Sequence, residues 1–358
     1  KVAYSEKYEI PKRTLFRWCE KYKSAEIDNA RLAHLTIDNH IIKKATMQYG
    51  ADGKLKQMYL KTDIEKEAQV NGIKAAIQGW VLDIPKFKPT APKSNVYHDY
   101  IIPVLPMGDP HIGLLTWEDE VGKAFDLEIA RNDLCNATRH LVNLTTPAKT
   151  CKIINLGDFF HFDNMDAKTS RSGHSVDAAS RLPHCMRVGT EAMLECIRTA
   201  LERHETVEVI NTIGNHDDVT SWALNLICIH AFEFEPRVIV HTEYRHRYYT
   251  RHGDVLIGVV HGHETKAEKL PLLMATERAQ DWGETKHRYF YQGHYHHDKR
   301  IEMNGCMFEQ FRTLAPNDSY SHGHGYFSGQ DMKAIMMHSK YGEVGRHICS
   351  VDMLRDMY

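Results

Sequence analysis

Two stretches, IINLGDFFHFDN (153–164) and EVINTIGNHDD (208–218), decide how this chain folds. Each is a short apolar run rich in β-branched residues, too short for a helix, that ends in glycine followed by an acid, an amide or an imidazole. Working outward, the same design recurs in YIIPVLPMGDPHIG (100–113), VLIGVVHGH (255–263) and RYFYQGHYHH (288–297). Stretches of helical spacing, Leu127–Leu144 and Met186–Arg203, separate them. Strands alternating with helices predict an α/β layered fold, and polar residues at strand C-terminal ends predict a site along one edge of it.

Five blocks follow the strands in order: MGDPHIG with Asp109 and His111, LGDFFH with Asp158 and His161, IGNHDD with Asn215 and His216, VVHGH with His261, and QGHYHH with His294 and His296. An Asp-x-His pair projects two donors from one turn. A lone Asp can bridge two cations, and Asn offers a neutral carbonyl oxygen. Mixed nitrogen and oxygen donors suit Mn²⁺, Fe²⁺ or Zn²⁺ better than Ca²⁺. Two cations about 3.5–4 Å apart activate a water and stabilise a transferring phosphoryl group, so the expected chemistry is hydrolysis of a phosphate ester.

The order DxH, GD, GNHD, H, GHxH resembles the calcineurin-like metallophosphoesterase superfamily over residues from about 100 to 300. The resemblance implies a β-sandwich flanked by helices. It also implies that Asp109, His111, Asp158 and His296 hold a first metal and that Asp158, Asn215, His261 and His294 hold a second. His216 would then steady the phosphate or protonate the leaving oxygen, and Asp217 would orient His216. The phosphoprotein phosphatases of that superfamily carry GDxVDRG and GNHE. Here Asp158-Phe159-Phe160-His161, followed by Asp163-Asn164, is instead similar to the DNA double-strand-break repair exonucleases, as is DPHIG to their DxHLG. That branch implies a contact of His161 with the scissile phosphate. It implies a dinuclear-metal-dependent phosphodiesterase cutting the DNA backbone, as exonuclease or endonuclease, with a metal-activated hydroxide as nucleophile. Mn²⁺ is the first expectation, with Mg²⁺, Fe²⁺ or Zn²⁺ as alternatives. The branch usually continues into a capping domain and a helical segment that binds an ABC-type ATPase. The short stretch after the last block does not support that partner.

Residues 1–23, KVAYSEKYEIPKRTLFRWCEKYK, resemble the second half of a helix-turn-helix, which would set Lys12, Arg13, Thr14 and Arg17 against a DNA groove. A basic amphipathic helix packing by its aromatic side fits the same residues. Ile27–Lys44 is helix-like, residues 45–63 read as a hairpin around Asp52-Gly53, and a further helix is expected from Asp63 to Leu82. Pro85–Asn95 holds three prolines and three lysines with little to bury. The expected organisation is a smaller basic α+β region (1–84), a linker (85–96) and the α/β domain (97–358).

Composition agrees with a division of labour. Residues 1–96 carry 18 Lys or Arg against 11 Asp or Glu, a balance of +7, which leaves −9 for the remainder of a chain whose formal charge is −2. Of 24 histidines, 22 lie at or beyond His98, which favours a metal or acid–base site. With 42% apolar residues in 358, a disordered or fibrous chain is excluded. The sequence shows neither a membrane-length apolar run nor a leader-like segment, and its eight cysteines form no CxxC pair. A cytoplasmic setting is expected, in a bacterial cell or a phage-infected host, and a homo-oligomer is compatible with it.

Three features stay open at this level. His263 and His297 adjoin proposed donors but are expected to pack or face solvent. TEYRHRYYTRHGD (242–254) interleaves arginines with tyrosines, either as a nucleic-acid surface or as an edge strand whose charges discourage aggregation. Two alternatives to a DNA nuclease also remain: a phosphatase or phosphodiesterase for nucleotides and other small esters, and a DNA-binding protein on a scaffold-only phosphoesterase fold.

Overall fold

The computed structural model describes residues 36–37, 40–49, 55–64, 84, 86–91, 93, 96–169, 173, 175–243, 245–318, 323–325 and 327–357. The chain divides into two compact units, Lys1–Trp80 and Val81–Tyr358.

In the first unit, β1 (Thr36–Ile37), β2 (His40–Tyr49) and β3 (Leu55–Ile64) form an antiparallel sheet in the order β1-β2-β3. The hairpin expected around Asp52-Gly53 is present in its strands, which pair from His40↔Ile64 to Tyr49↔Leu55. Helix was expected over Ile27–Lys44, yet residues 36–37 and 40–44 are strand. Ile41 and Ile42 are β-branched, and pairing with β3 extends the ladder through them, overriding the helical spacing. Residues 63–64, expected to open a helix, are strand for the same reason. The remainder of that helix, and Lys12, Arg13, Thr14 and Arg17, lie outside the described residues.

In the second unit, the strands are β4 (Ile101–Met107), β5 (Thr150–Asn155), β6 (Thr206–Asn211), β7 (Val238–Val240), β8 (Arg247–His252), β9 (Val255–Val260), β10 (His287–Gln292), β11 (Lys299–Met303), β12 (Cys306–Gln310), β13 (Asp331–His338) and β14 (Gly342–Ser350). The helices are α1 (Glu118–Val121), α2 (Leu127–Leu144), α3 (Leu182–Arg203), α4 (Asp218–Ala231), α5 (Leu270–Glu277), α6 (Ala279–Glu284) and α7 (Val351–Met357). One sheet runs β14-β13-β4-β5-β6-β7, parallel from β4 to β7. The other runs β11-β12-β10-β9-β8, with β9, β10 and β12 parallel.

The sheets face each other through alternate residues. Ile102, Val104, Ile154, Leu156 and Ile210 of the first meet Val255, Ile257, Val259, Tyr289 and Tyr291 of the second. Each such buried side chain contributes about 1.5–3 kcal/mol. The outer face of the second sheet is covered by Leu270 and Met274 of α5 against Leu256, Phe290 and Phe308. The long helices bury their inner stripes, among them Leu134, Leu141, Ala192 and Ile197. Asp126 caps α2 by accepting from the Ile129 N–H at 2.9 Å, and Glu195 of α3 ties down Arg131 and Arg139 of α2. The expected β-sandwich flanked by helices is the observed architecture. The Pro/Lys-rich segment, expected to bury little, is anchored. Phe87 stacks on Phe232 at 4.9 Å and its N–H donates to the Ala231 carbonyl, while Thr90 donates to Glu235. Among the described residues no helix is long and apolar enough to cross a membrane.

Candidate metal centre

Register brings the blocks together. Met107 pairs with Asn155 and Asn155 with Asn211, so the turns carrying Asp109, Asp158 and Asn215 leave the first sheet at one level. In the second sheet Val260 pairs with Gln292, so His261 and His294 also leave side by side. Glycine precedes the donors because neighbouring turns nearly touch. A Cβ at Gly214 would collide with the Asp158 carboxylate, and one at Gly293 with that of Asp109. The turns are also strained. Asp109, His111, Asp158, His294 and His296 all have positive φ, between 41° and 70°, a region that residues other than glycine seldom enter.

Three groups of side chains result: Asp109 with His111 and His296, Asp158 with His261 and His294, and His111 with His161 and His216. In the first, His296 Nε2 lies 2.9 Å from Asp109 Oδ2 and 3.1 Å from His111 Nε2. In the second, His261 Nε2 lies 3.1 Å from Asp158 Oδ2 and 3.0 Å from Asn215 Oδ1. His261 Nδ1 donates to the Leu156 carbonyl at 2.8 Å, which turns the lone pair of Nε2 toward the group. The structure thus brings together Asp109, His111, Asp158, Asn215, His261, His294 and His296, with His161 and His216 on one flank.

The donor set fits divalent cations on three counts. Asp109 Oδ1 is buried without a hydrogen-bond partner among the described residues. Burial acts to lower the His261 pKa, yet the Asp158 and Asp109 carboxylates push it up to about 10, so this spot demands positive charge. Conversely, burial and the imidazole of His261 bring His294 down to about 4, and burial, His296, His161 and His216 hold His111 well below its ordinary range. Neutral imidazoles beside ionised carboxylates are the form in which these groups bind metals.

The flank has its own order. His111 Nε2 faces His296, so the network assigns the His111 proton to Nδ1, which lies 3.1 Å from His161 Nδ1. His161 then carries its proton on Nε2, a buried atom with no hydrogen-bond partner among the described residues. Burial and the charge of His216 lower His161 to about 3, keeping it neutral. His216 stacks on His161 with ring centroids 5.4 Å apart and donates from Nδ1 to the His161 carbonyl at 2.8 Å. That carbonyl holds the His216 ring in the role expected of Asp217. Asp217 itself is buried and accepts from the N–H groups of Gly214, Asp158, Phe159 and Phe160 at 2.7–3.3 Å, so its carboxylate shapes the Asp158 turn.

His263, expected to point away, has its ring 5.2 Å from that of His261 and 6.1 Å from that of His294. The two-residue spacing from His261 was the available signal, because alternate residues share a face. Thr313, whose hydroxyl donates to the Asp109 carbonyl at 2.7 Å, had no signal in the sequence. His297 is exposed, as expected, with Nδ1 on the Tyr295 carbonyl. The arginine–tyrosine strand β8 is neutralised within the fold. Arg247 and Tyr249 engage Glu277, and Arg251 engages Asp281 and Glu284.

No protein-family model matches the chain, and no curated protein sequence matches it significantly. Solved structures do align with it. A predicted phosphoesterase from Streptococcus pneumoniae is 12% identical with a TM-score of 0.29, covering 70% of this chain and 98% of its own. Wild-type Vps29 complexed with Zn²⁺ from Entamoeba histolytica is 12% identical with a TM-score of 0.28, covering 69% and 98%. The phosphopantetheinyl hydrolase of Mycobacterium tuberculosis is 10% identical with a TM-score of 0.29, covering 60% and 91%. At such scores these likenesses decide nothing about activity, which the chain's own residues must carry.

Proposed function

We propose that residues 97–358 form a divalent-metal-dependent phosphoester hydrolase whose first substrate candidate is the phosphodiester backbone of DNA. The observation that carries the reading is the convergence of five strand-end turns, five of their donors held at positive φ beside a buried carboxylate oxygen that has no hydrogen-bond partner among the described residues, which has no evident use in stability. Asp109, His111, Asp158 and His296 would hold one cation, and Asp158, Asn215, His261 and His294 the other. Once bound, the cations supply charge that draws in a phosphate and lowers the pKa of a water. His161 offers Nε2–H to a phosphate oxygen. His216, with Nδ1 committed to the His161 carbonyl, has Nε2 to hold or release the proton that the leaving oxygen needs. Lys12, Arg13, Thr14 and Arg17 would add contacts to DNA.

Small phosphate esters are the second reading. The pairing of Arg247 and Arg251 with acids favours it, because a polyanion needs cations not already matched. A panel of single- and double-stranded DNA, RNA, nucleotides and a generic phosphodiester, each with Mn²⁺, Mg²⁺ or Zn²⁺, separates the two. We expect DNA cleavage that EDTA abolishes and that Asp158→Asn lowers by about 10³-fold or more, together with loss of bound metal by elemental analysis. Fast turnover of small esters beside inert DNA selects the second reading. A fully metallated chain that hydrolyses none of these is the outcome that overturns both.

A further inference from the structure

Tyr295 stands between His294 and His296, two donors of the candidate centre, and is 56% exposed. An aromatic ring so placed has no packing reason to be there, since a serine or lysine would serve a solvent-facing turn. Its backbone is fixed on both sides. His294 and His296 have φ of 70° and 57°, the Tyr295 N–H donates to the Gly293 carbonyl at 2.9 Å, and the Tyr295 carbonyl accepts from His297 Nδ1 at 2.7 Å. The ring meets the His294 imidazole in an edge contact, centroids 4.8 Å apart and planes 68° apart. It is therefore anchored beside the centre with much of its surface open to solvent.

Other loops that carry donors end alike. Trp117, six residues after His111, is 65% exposed, and Met165, four after His161, is 72% exposed. Large apolar side chains thus follow three of the polar turns. Meanwhile the arginines of β8 are spent on Glu277, Asp281 and Glu284. A nucleotide-bearing substrate would have to be gripped by its base more than by further phosphates, and base–aromatic stacking needs only an exposed, rigid ring.

We infer that Tyr295 binds the nucleobase adjoining the phosphate at the metal centre, so that the preferred substrates are nucleotide-bearing esters with an unpaired base. This rests on the hydrolase reading above and narrows its substrate class. Tyr295 makes its contact with substrate and takes no part in proton transfer.

The test is calorimetric titration of the Mn²⁺-loaded full chain with deoxyadenosine 5′-monophosphate and with 2-deoxyribose 5-phosphate, which lacks the base. The nucleotide is expected to bind about 5- to 100-fold more tightly. Tyr295→Ala should bring the two ligands to within about twofold of each other by weakening the nucleotide alone, and Tyr295→Phe should keep the preference. Equal binding by the wild-type chain overturns the inference while leaving the hydrolase reading in place, as does a preference that survives Tyr295→Ala. A metal-loaded chain that binds neither ligand removes both.

Discussion

The strand-end turns and strand β8 look alike on paper, since both crowd titratable and aromatic side chains into a few residues, yet the fold treats them in opposite ways. At the turns, histidines and carboxylates from five distant segments face one another, and Asp109 Oδ1 is left buried without a hydrogen-bond partner among the described residues. On β8, Arg247 and Tyr249 share Glu277, and Arg251 has Asp281 and Glu284. Charge left unmatched inside a fold, on a backbone held at positive φ, marks a site. Charge matched by near neighbours is part of the scaffold.

The comparison is sharpened most by His216, which lies on the unmatched side without belonging to either metal-donor group. His216→Ala should retain both metals by elemental analysis and lose about 10²–10³-fold in hydrolysis rate. Loss of metal instead would make it a ligand and redraw the boundary of the centre.

A smaller effect tests a histidine that the fold has fully matched. His204 is buried, its Nδ1 accepts from the Ala148 N–H at 3.1 Å, and its Nε2 lies 3.2 Å from the Thr145 hydroxyl. Burial and the adjacent Arg203 depress it to about 3. The unfolded chain, in which this imidazole titrates near about 6.5, therefore binds the extra proton between those values. Stability from this group is complete above about 6.5 and falls as pH drops toward 3, by up to about 1.4 kcal/mol per pH unit. Denaturant titrations should show His204→Gln with a shallower acid slope than the parent chain. An unchanged slope would mean that His204 is already charged in the folded protein.

The least effect is expected on the matched side. Arg247→Ala should cost under about 1 kcal/mol, because a partly exposed ion pair is screened by water, and should leave hydrolysis of any substrate unaltered. A selective fall in DNA cleavage would show that β8 meets nucleic acid after all, and would erase the contrast between the two regions.

Much of the centre was legible because strand-end donors are a local feature. Asp109, Asp158, Asn215 and His294 each follow an apolar run and a glycine, His261 follows an apolar run directly, and at Gly214 and Gly293 the glycine turns out to be needed where a neighbouring turn's carboxylate passes. Three points were not legible. The partner of Asp217 depends on where four backbone N–H groups converge, and no side-chain pattern records that. The approach of His263 to His294 needs β9 and β10 in register. The silencing of β8 needs α5 and α6 laid beside it, with Glu277, Asp281 and Glu284 about thirty residues away in the chain. In the first unit, local helical spacing over residues 36–37 and 40–44 lost to strand pairing, β1 with β2 and β2 with β3, since a ladder of cross-strand hydrogen bonds outweighs propensity differences of a few tenths of a kcal/mol per residue.

The amino-acid sequence by itself determined that the chain alternates strands and helices, which strand ends carry metal-type donors, and that the basic first 96 residues differ from the acidic remainder, because apolar periodicity, glycine placement and charge are properties of neighbours along the chain. Tertiary structure alone decided which of those polar residues face one another uncompensated and which are neutralised. Ion pairing, burial and the direction of a ring's proton are set by residues tens to hundreds of positions apart, which meet only when the two sheets close.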